Sequence, residues 1–149
     1  MFTKILMPTD GSPCSFAAAR YARDLLKMNP SARLTILHVR RKPTPTYRVY
    51  RWIEVEVPLS DEVKKRICEA EELILSRTEK VFADAGLVTD TEVVTGAPAE
   101  EISAYAEKGG YDLIVMGSRG AGGVKNVFAG SVSHRVVHLA RCPVLIVKG

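Results

Sequence analysis

Short apolar runs alternate along this chain with longer stretches of helical spacing. Phe2–Pro8 reads as a first strand, and Arg33–Val39, apolar at Leu34, Ile36, Leu37 and Val39, as a second. Thr91–Thr95, Asp112–Met116 and Val144–Lys148 supply three more. Between them lie segments with a periodic apolar face. Ser12 as N-cap and Pro13 at the first helical position predict a helix over Pro13–Met28. Ser60 begins a long helix to about Ala85, with Val63, Ile67, Ala70, Ile74 and Val81 inward, Glu62 and Glu69–Glu72 toward solvent, and Gly86 as its stop. Pro98 opens a short helix to about Lys108, and the segment after Ser131 places Val132, Val136, Val137, Leu139 and Ala140 on one face. Strands alternating with helices of this length require crossovers, hence a parallel sheet covered on both faces. Residues 40–59 carry no such pattern and read as a connecting loop. No repeat or boundary divides residues 1–149, so one domain is expected.

The chemically informative stretch comes after the fourth strand. Gly117-Ser-Arg-Gly120, nine residues and then Gly130-Ser131 lead into a helix that Ser131 would cap. Glycine lets backbone N–H groups approach an anion closely, and the first N–H groups of a helix have no internal partners. The Ser131 hydroxyl adds a donor, so the connection suits a phosphorylated ligand. A merely flexible link is the alternative, but strand-to-helix links ordinarily take ~2–6 residues and this one takes about a dozen. The spelling excludes the P-loop, because Gly117 to Gly122 is followed by Gly123-Val124 where Lys and a hydroxyl are required. It also excludes the dinucleotide fingerprint, since Lys125 stands at the third glycine position after Gly120-Ala-Gly122.

The pattern G-x2-G-x9-G-[ST], met as Gly117, Gly120, Gly130 and Ser131, resembles the nucleotide-binding motif of the ATP-binding subgroup of the universal stress protein family. Lys4-Ile-Leu-Met-Pro-Thr-Asp-Gly-Ser12 is similar to that family's first strand and loop, and Ala140-Arg-Cys-Pro-Val-Leu-Ile-Val-Lys148 to its last strand. The similarity spans nearly the whole chain and is poorest between Arg40 and Leu59. It implies a three-layer α/β sandwich, adenine nucleotide alpha hydrolase-like, with a five-stranded parallel sheet of strand order 3-2-1-4-5. It implies ATP as ligand: Asp10 near the ribose or base, Thr9 on the sugar side, the Val39 backbone at the adenine, and Pro8 and Met116 as apolar walls. Gly117, Arg119, Gly120, Gly130, Ser131 and Val132 would carry the phosphates. For Asp10 the residues alone also allow a turn-former before Gly11-Ser12. Mg2+ or Mn2+, if bound, would arrive on the phosphates, since no carboxylate pair is placed to hold it.

Charge changes the picture only locally. The net charge is +4, but Arg40, Arg41, Lys42, Arg48 and Arg51 sit together without an acid. Removing those five from 21 leaves 16 basic residues against 17 acidic, so no global field points to nucleic acid. With Pro43, Pro45, Tyr47, Tyr50 and Trp52, this segment could stack on a nucleotide or be a solvated loop whose aromatics pack on the body. Three cysteines, Cys14, Cys68 and Cys142, form no paired spacing, which suits a reducing compartment and a cytoplasmic protein. No secretory leader or apolar run of ~20 residues is seen.

His134 and His138 stand i and i+4 on the last helix without a third ligand, which argues against a metal. His38 reads as a pocket-wall or core residue. No Ser/His/Asp or Cys/His constellation marks an enzyme, so the expectation is an ATP-binding, stress-associated regulator of an unidentified protein partner. A slow ATPase and a nucleotide-independent dimeric interaction protein are the alternatives. Val144–Val147, placed at a sheet edge by the resemblance, would need a cover, and a second copy pairing as a homodimer is the simplest.

Overall fold

The structure, a computed structural model, describes residues 1–42, 46–50, 52–120 and 130–149, excepting the side chains of residues 46–50 and 54–56. The elements in order are β1 (Lys4–Pro8), α1 (Pro13–Met28), β2 (Arg33–Arg40), β3 (Thr46–Tyr50), β4 (Ile53–Glu56), α2 (Asp61–Ala83), β5 (Asp90–Thr95), α3 (Pro98–Gly109), β6 (Leu113–Gly117), α4 (Ser131–Leu139) and β7 (Val144–Val147). Five strands form a parallel sheet in the order β5-β2-β1-β6-β7, which is the expected 3-2-1-4-5.

The pleat sorts side chains between two cores. Ile5, Met7, Leu34, Ile36, Leu113 and Val115 pack beneath α1 and α2, together with Phe82. Leu6, Leu37, Ile114 and Met116 pack beneath α3 and α4, against Ile102, Ala106 and Val136. Successive residues on a strand face opposite ways, so a continuous apolar run is what a strand covered on both faces needs. Helix α1 lies close on the sheet because its buried face is small: Cys14, Ser15, Ala18, Ala19 and Ala22, with Leu26 at the end. Ser12 caps it as expected, accepting from the Ser15 N–H, with Pro13 in its first turn.

The amino ends of the strands are stapled by polar groups. The Asp112 carboxylate accepts from the Thr3 N–H and hydroxyl, each at 2.8 Å, and from the Lys4 N–H at 3.0 Å. Burial alone would raise its pKa, but those donors outweigh it and hold the carboxyl below the ordinary carboxylate range. The Tyr111 hydroxyl meets Thr35 Oγ1 at 2.8 Å, and the Lys4 ammonium stands 4.6 Å from the centre of the Tyr111 ring.

Three expectations need correction. Residues 40–59 are not simply a loop, because β3 and β4 form an antiparallel hairpin with a register shift between Arg48 and Tyr50. On α2 the strongly buried positions are Glu71, Thr78 and Phe82, whereas Val63 and Ala70 are exposed. Glu71 therefore faces inward and not to solvent, because Arg40 meets its carboxylate there. On α4 Val136 is buried, and Val132 and Ala140 are partly so at i−4 and i+4, but Val137 and Leu139 are exposed.

Phe82 is fully buried among Ala18, Ala22, Leu26 and Ile36. Phe82→Ala should lower unfolding stability by about 3–5 kcal/mol through lost transfer energy and a residual cavity. Val63→Ala on the same helix should change it by less than about 0.5 kcal/mol. Urea denaturation of the two variants measures both, and similar losses would contradict the burial pattern.

Candidate nucleotide crevice

In a parallel sheet ligands gather at the carboxyl ends of the strands, where the strand order reverses. Here that point lies between β1, which connects onward to β2, and β6, which connects to β7 on the other side. Two chain segments leave the sheet at this point: Thr9–Ser12, entering α1, and Ser118–Gly120, on the way to α4.

The first segment is tightly specified. Thr9 is 4% exposed, its N–H donates to the Leu37 carbonyl at 2.9 Å, and its hydroxyl lies 3.3 Å from both Ser15 Oγ and Thr78 Oγ1. Asp10 is exposed, and its Oδ1 accepts from the Ser12 N–H at 3.0 Å. It is thus an Asx-type turn-former, which leaves Oδ2 pointing across the crevice. Gly11 must be glycine: its φ is +77°, and a Cβ would stand 2.8 Å from the Ile74 side chain.

The second segment meets the first. A Cβ on Gly120 would stand 2.6 Å from Asp10 Oδ2, and the Ser12 hydroxyl reaches the Arg119 carbonyl at 3.3 Å. At Gly117 a Cβ would lie 2.6 Å from the Cys14 carbonyl carbon, so the end of β6 rests directly on the first turn of α1. The motif glycines thus have different reasons. Gly117 permits backbone contact with α1, and Gly120 permits the approach of Asp10.

Where the loop rejoins helix α4, the Gly130 N–H donates to the Ser118 carbonyl at 2.5 Å. The expected cap is corrected here. Gly130 is the N-cap, without a side-chain hydrogen bond, and Ser131 is the first helical residue, exposed. The hydroxyl that closes the turn belongs to Ser133, which donates to the Ser118 carbonyl at 2.8 Å or the Gly130 carbonyl at 3.0 Å. This leaves the Ser131 hydroxyl and the opening N–H groups of α4 at the mouth of the crevice.

The sequence-predicted residues are therefore largely brought together. Pro8 and Thr9 are buried at the end of β1, and Asp10 lies beside Gly120. Met116 is buried at the end of β6, and Val39 is half-buried at the end of β2, both on the α3–α4 side. Gly117, Arg119, Gly120, Gly130, Ser131 and Val132 flank the connection into α4. Gly122, Gly123 and Lys125 lie outside the described residues, as do the side chains of Tyr47, Arg48, Tyr50 and Arg51. Sequence reasoning misses Ser118 and Ser133. The signal for Ser133 is a small polar residue three positions after Gly130 at a helix start, where hydroxyls commonly bond backbone. Among the described residues no group of three or more His, Cys, Asp or Glu could hold a metal. His134 and His138 are edge-on to each other with ring centres 4.6 Å apart. Cys14, Cys68 and Cys142 are free thiols, and burial raises the pKa of Cys142.

A doubly wound parallel sheet with a glycine-bounded crevice at its switch point defines a Rossmann-like α/β protein. Residues 1–148 match the universal stress protein family, and the chain belongs to that family. It is 40% identical over 150 residues to universal stress protein YxiE of Bacillus subtilis, covering 99% of this chain and 100% of that one. The solved structure of MJ0577 from Methanocaldococcus jannaschii superposes with a TM-score of 0.79 at 30% identity, covering 100% of this chain and 97% of that one. A universal stress protein solved in complex with cAMP shares the fold at TM-score 0.70 and 24% identity, covering 98% and 97%. One from Archaeoglobus fulgidus in complex with dAMP shares it at 0.67 and 19%, covering 99% and 98%.

The two glycine contacts separate experimentally. Gly117→Ala should destabilise the fold by about 1–3 kcal/mol, since its Cβ meets backbone that cannot swing aside. Gly130→Ala, whose Cβ would find its nearest neighbours at 3.4 Å, should cost less than about 1 kcal/mol. Thermal or denaturant unfolding distinguishes them, and equal costs would refute this division of roles.

Proposed function

We propose that this chain is an adenine-nucleotide-binding regulatory protein, acting as a single unit over residues 1–149, whose preferred ligand is ATP. The observation that carries the reading is the meeting of Asp10 with Gly120 across the switch point, beside the opening turn of α4. Helix N–H groups that have no partner within the helix, reached through a glycine-bounded connection, suit phosphate oxygens. The cAMP and dAMP complexes of relatives with the same fold support an adenine nucleotide as its occupant.

In this reading Asp10 approaches the ribose or base and Thr9 the sugar side, Val39 offers its backbone to the adenine edge, and Pro8 and Met116 form apolar walls. Gly117, Arg119, Gly120, Gly130, Ser131 and Val132 surround the phosphates. A divalent ion, Mg2+ or Mn2+, would enter with the phosphates. The chain's own part is to bind and orient. The bound nucleotide then alters the surface shown to a protein partner, and no residue set for hydrolysis is assigned. The three free thiols favour a reducing, cytoplasmic setting.

ATP should outcompete GTP in a displacement titration, because backbone edges at Val39 read adenine. Equal or tighter GTP binding would defeat that. Gly120→Asp and Gly130→Glu should abolish binding while the circular dichroism spectrum stays native, since each adds negative charge where phosphate is to lie. Unimpaired affinity in both would move the phosphate site elsewhere.

Assembly belongs to the same proposal. Strand β7 is at the end of the sheet order, and its four residues Val144–Val147 are only half-buried. Val137 and Leu139 on α4 are exposed. An apolar edge of this kind is a pairing template, and the same strand of a second copy, antiparallel about a two-fold axis, would cover it. Sedimentation at micromolar concentration should show a dimer that Leu145→Asp or Ile146→Lys converts to monomer or aggregate. A stable wild-type monomer would end this proposal.

A further inference from the structure

Beneath the crevice, on the α1–α2 side of the sheet, lies a buried polar chain that the nucleotide reading does not use. Arg40 Nε donates to Glu71 Oε1 at 2.8 Å and to Oε2 at 2.9 Å, and its Nη2 reaches Oε2 at 2.5 Å. The Glu71 side chain is 9% exposed, and its Oε1 stands 3.8 Å from Nε2 of His38. On the other side of the ring, His38 Nδ1 lies 2.9 Å from the Thr9 carbonyl oxygen. Burial of a carboxylate is costly unless it is paired, and Glu71 is paired on one side and backed by imidazole on the other.

The direction of the chain gives it a consequence. A carbonyl oxygen only accepts, so Nδ1 must carry the proton in the hydrogen bond to Thr9. The Thr9 carbonyl and the Asp10 N–H share one planar trans peptide, since no cis bond occurs among the described residues. In a trans peptide these two groups point oppositely. With the carbonyl held toward His38, the Asp10 N–H is turned away from the ring. The same peptide leads into the Asp10 side chain that meets Gly120.

We infer that His38 is a positioning residue for the crevice, and that its Nδ1–H sets the orientation of the Thr9–Asp10 peptide presented to the ligand. This rests on the nucleotide reading for the identity of the ligand, but not for the positioning itself. Helix α2 stands behind the ring, with Glu71 Oε1 3.8 Å from His38 Nε2. The same helix also reaches Thr9 through Thr78 and Gly11 through Ile74, so the loop has its floor on α2.

The test needs a readout in the ligand-free chain and one with ligand. His38→Asn places an amide nitrogen near the Nδ1 position, whereas His38→Leu removes the donor. In the free protein, hydrogen exchange at the Gly11 and Ser12 amides should quicken about three- to tenfold in His38→Leu and return toward wild type in His38→Asn, as expected for loss of one hydrogen bond. ATP affinity by calorimetry should fall and recover in the same order and by a similar factor. Long-range nitrogen–proton spectra of the wild type should show Nδ1 of His38 protonated. An unprotonated Nδ1 overturns the proposal, which covers the case in which His38→Leu fails to fold. So does unchanged loop exchange in a folded His38→Leu, or His38→Asn as impaired as His38→Leu. A wild type that binds no adenine nucleotide, yet shows the expected exchange pattern, would sink the nucleotide reading and uphold the positioning role.

Discussion

Ile5 and Met7 face α1 and α2, Leu6 faces α3 and α4, and none of the three is more than 2% exposed. β1 also has β2 hydrogen-bonded along one edge and β6 along the other. A strand enclosed on four sides can neither slip register nor tilt without disturbing two cores, since a slip of one residue would exchange its faces. The loop leaving β1 is consequently tied to the position of the strand's last residue, Pro8. The crevice is built from this constraint: Thr9 continues the pairing to the Leu37 carbonyl, the chain turns at Asp10 and Gly11, and the β6 exit has to meet that turn.

Much of this is readable in the residues, for physical reasons. The five sheet strands and the helix starts at Ser12 and Ser60 follow from apolar runs and from hydroxyls whose caps have few alternatives, whereas the strand order comes from the family resemblance. The gathering of Pro8, Asp10, Met116, Gly117 and Gly120 follows from topology, because parallel strands put successive loops at one end. Local pattern fails where a tertiary partner decides the outcome. Glu71 lies among acids that look solvated, yet Ile67, Glu71, Ile74, Thr78 and Phe82 recur at helical spacing, and that stripe is the available signal. No spacing rule announces that Arg40, 31 residues earlier, supplies its counter-charge. The hairpin of β3 and β4 lacks the Asn-Gly or Asp-Gly turn that usually marks one. Ser131 reads as the cap because hydroxyls favour that position, but glycine also serves there, and the next hydroxyl along, Ser133, takes over the closure.

The two ends of the sheet are chemically unlike. At the amino end, Asp112, Lys4, Tyr111 and Thr35 bond one another and the neighbouring backbone. At the carboxyl end Thr9, Asp10, Ser12, His38 and Ser133 shape the loops, while Ser131 is exposed at the start of α4. In the proposed nucleotide reading, groups already committed to the scaffold do not have to reorganise when the ligand arrives.

Helix α2 shows how unevenly such a molecule can be held. From Glu71 onward it is anchored by an ion pair, by Thr78 and by the fully buried Phe82. Its first ten residues, Asp61–Ala70, are exposed apart from a half-buried Ile67, with surface ion pairs such as Arg66–Glu62 as their local support. Pairs of that kind weaken as salt rises, and a helical stretch without burial opens at low free-energy cost. Turnover of the protein would then begin in this half-turned-out stretch. A protease that cuts there would meet an already folded sheet and crevice, so the first nick would sever the helix that floors the loop while leaving both cores standing.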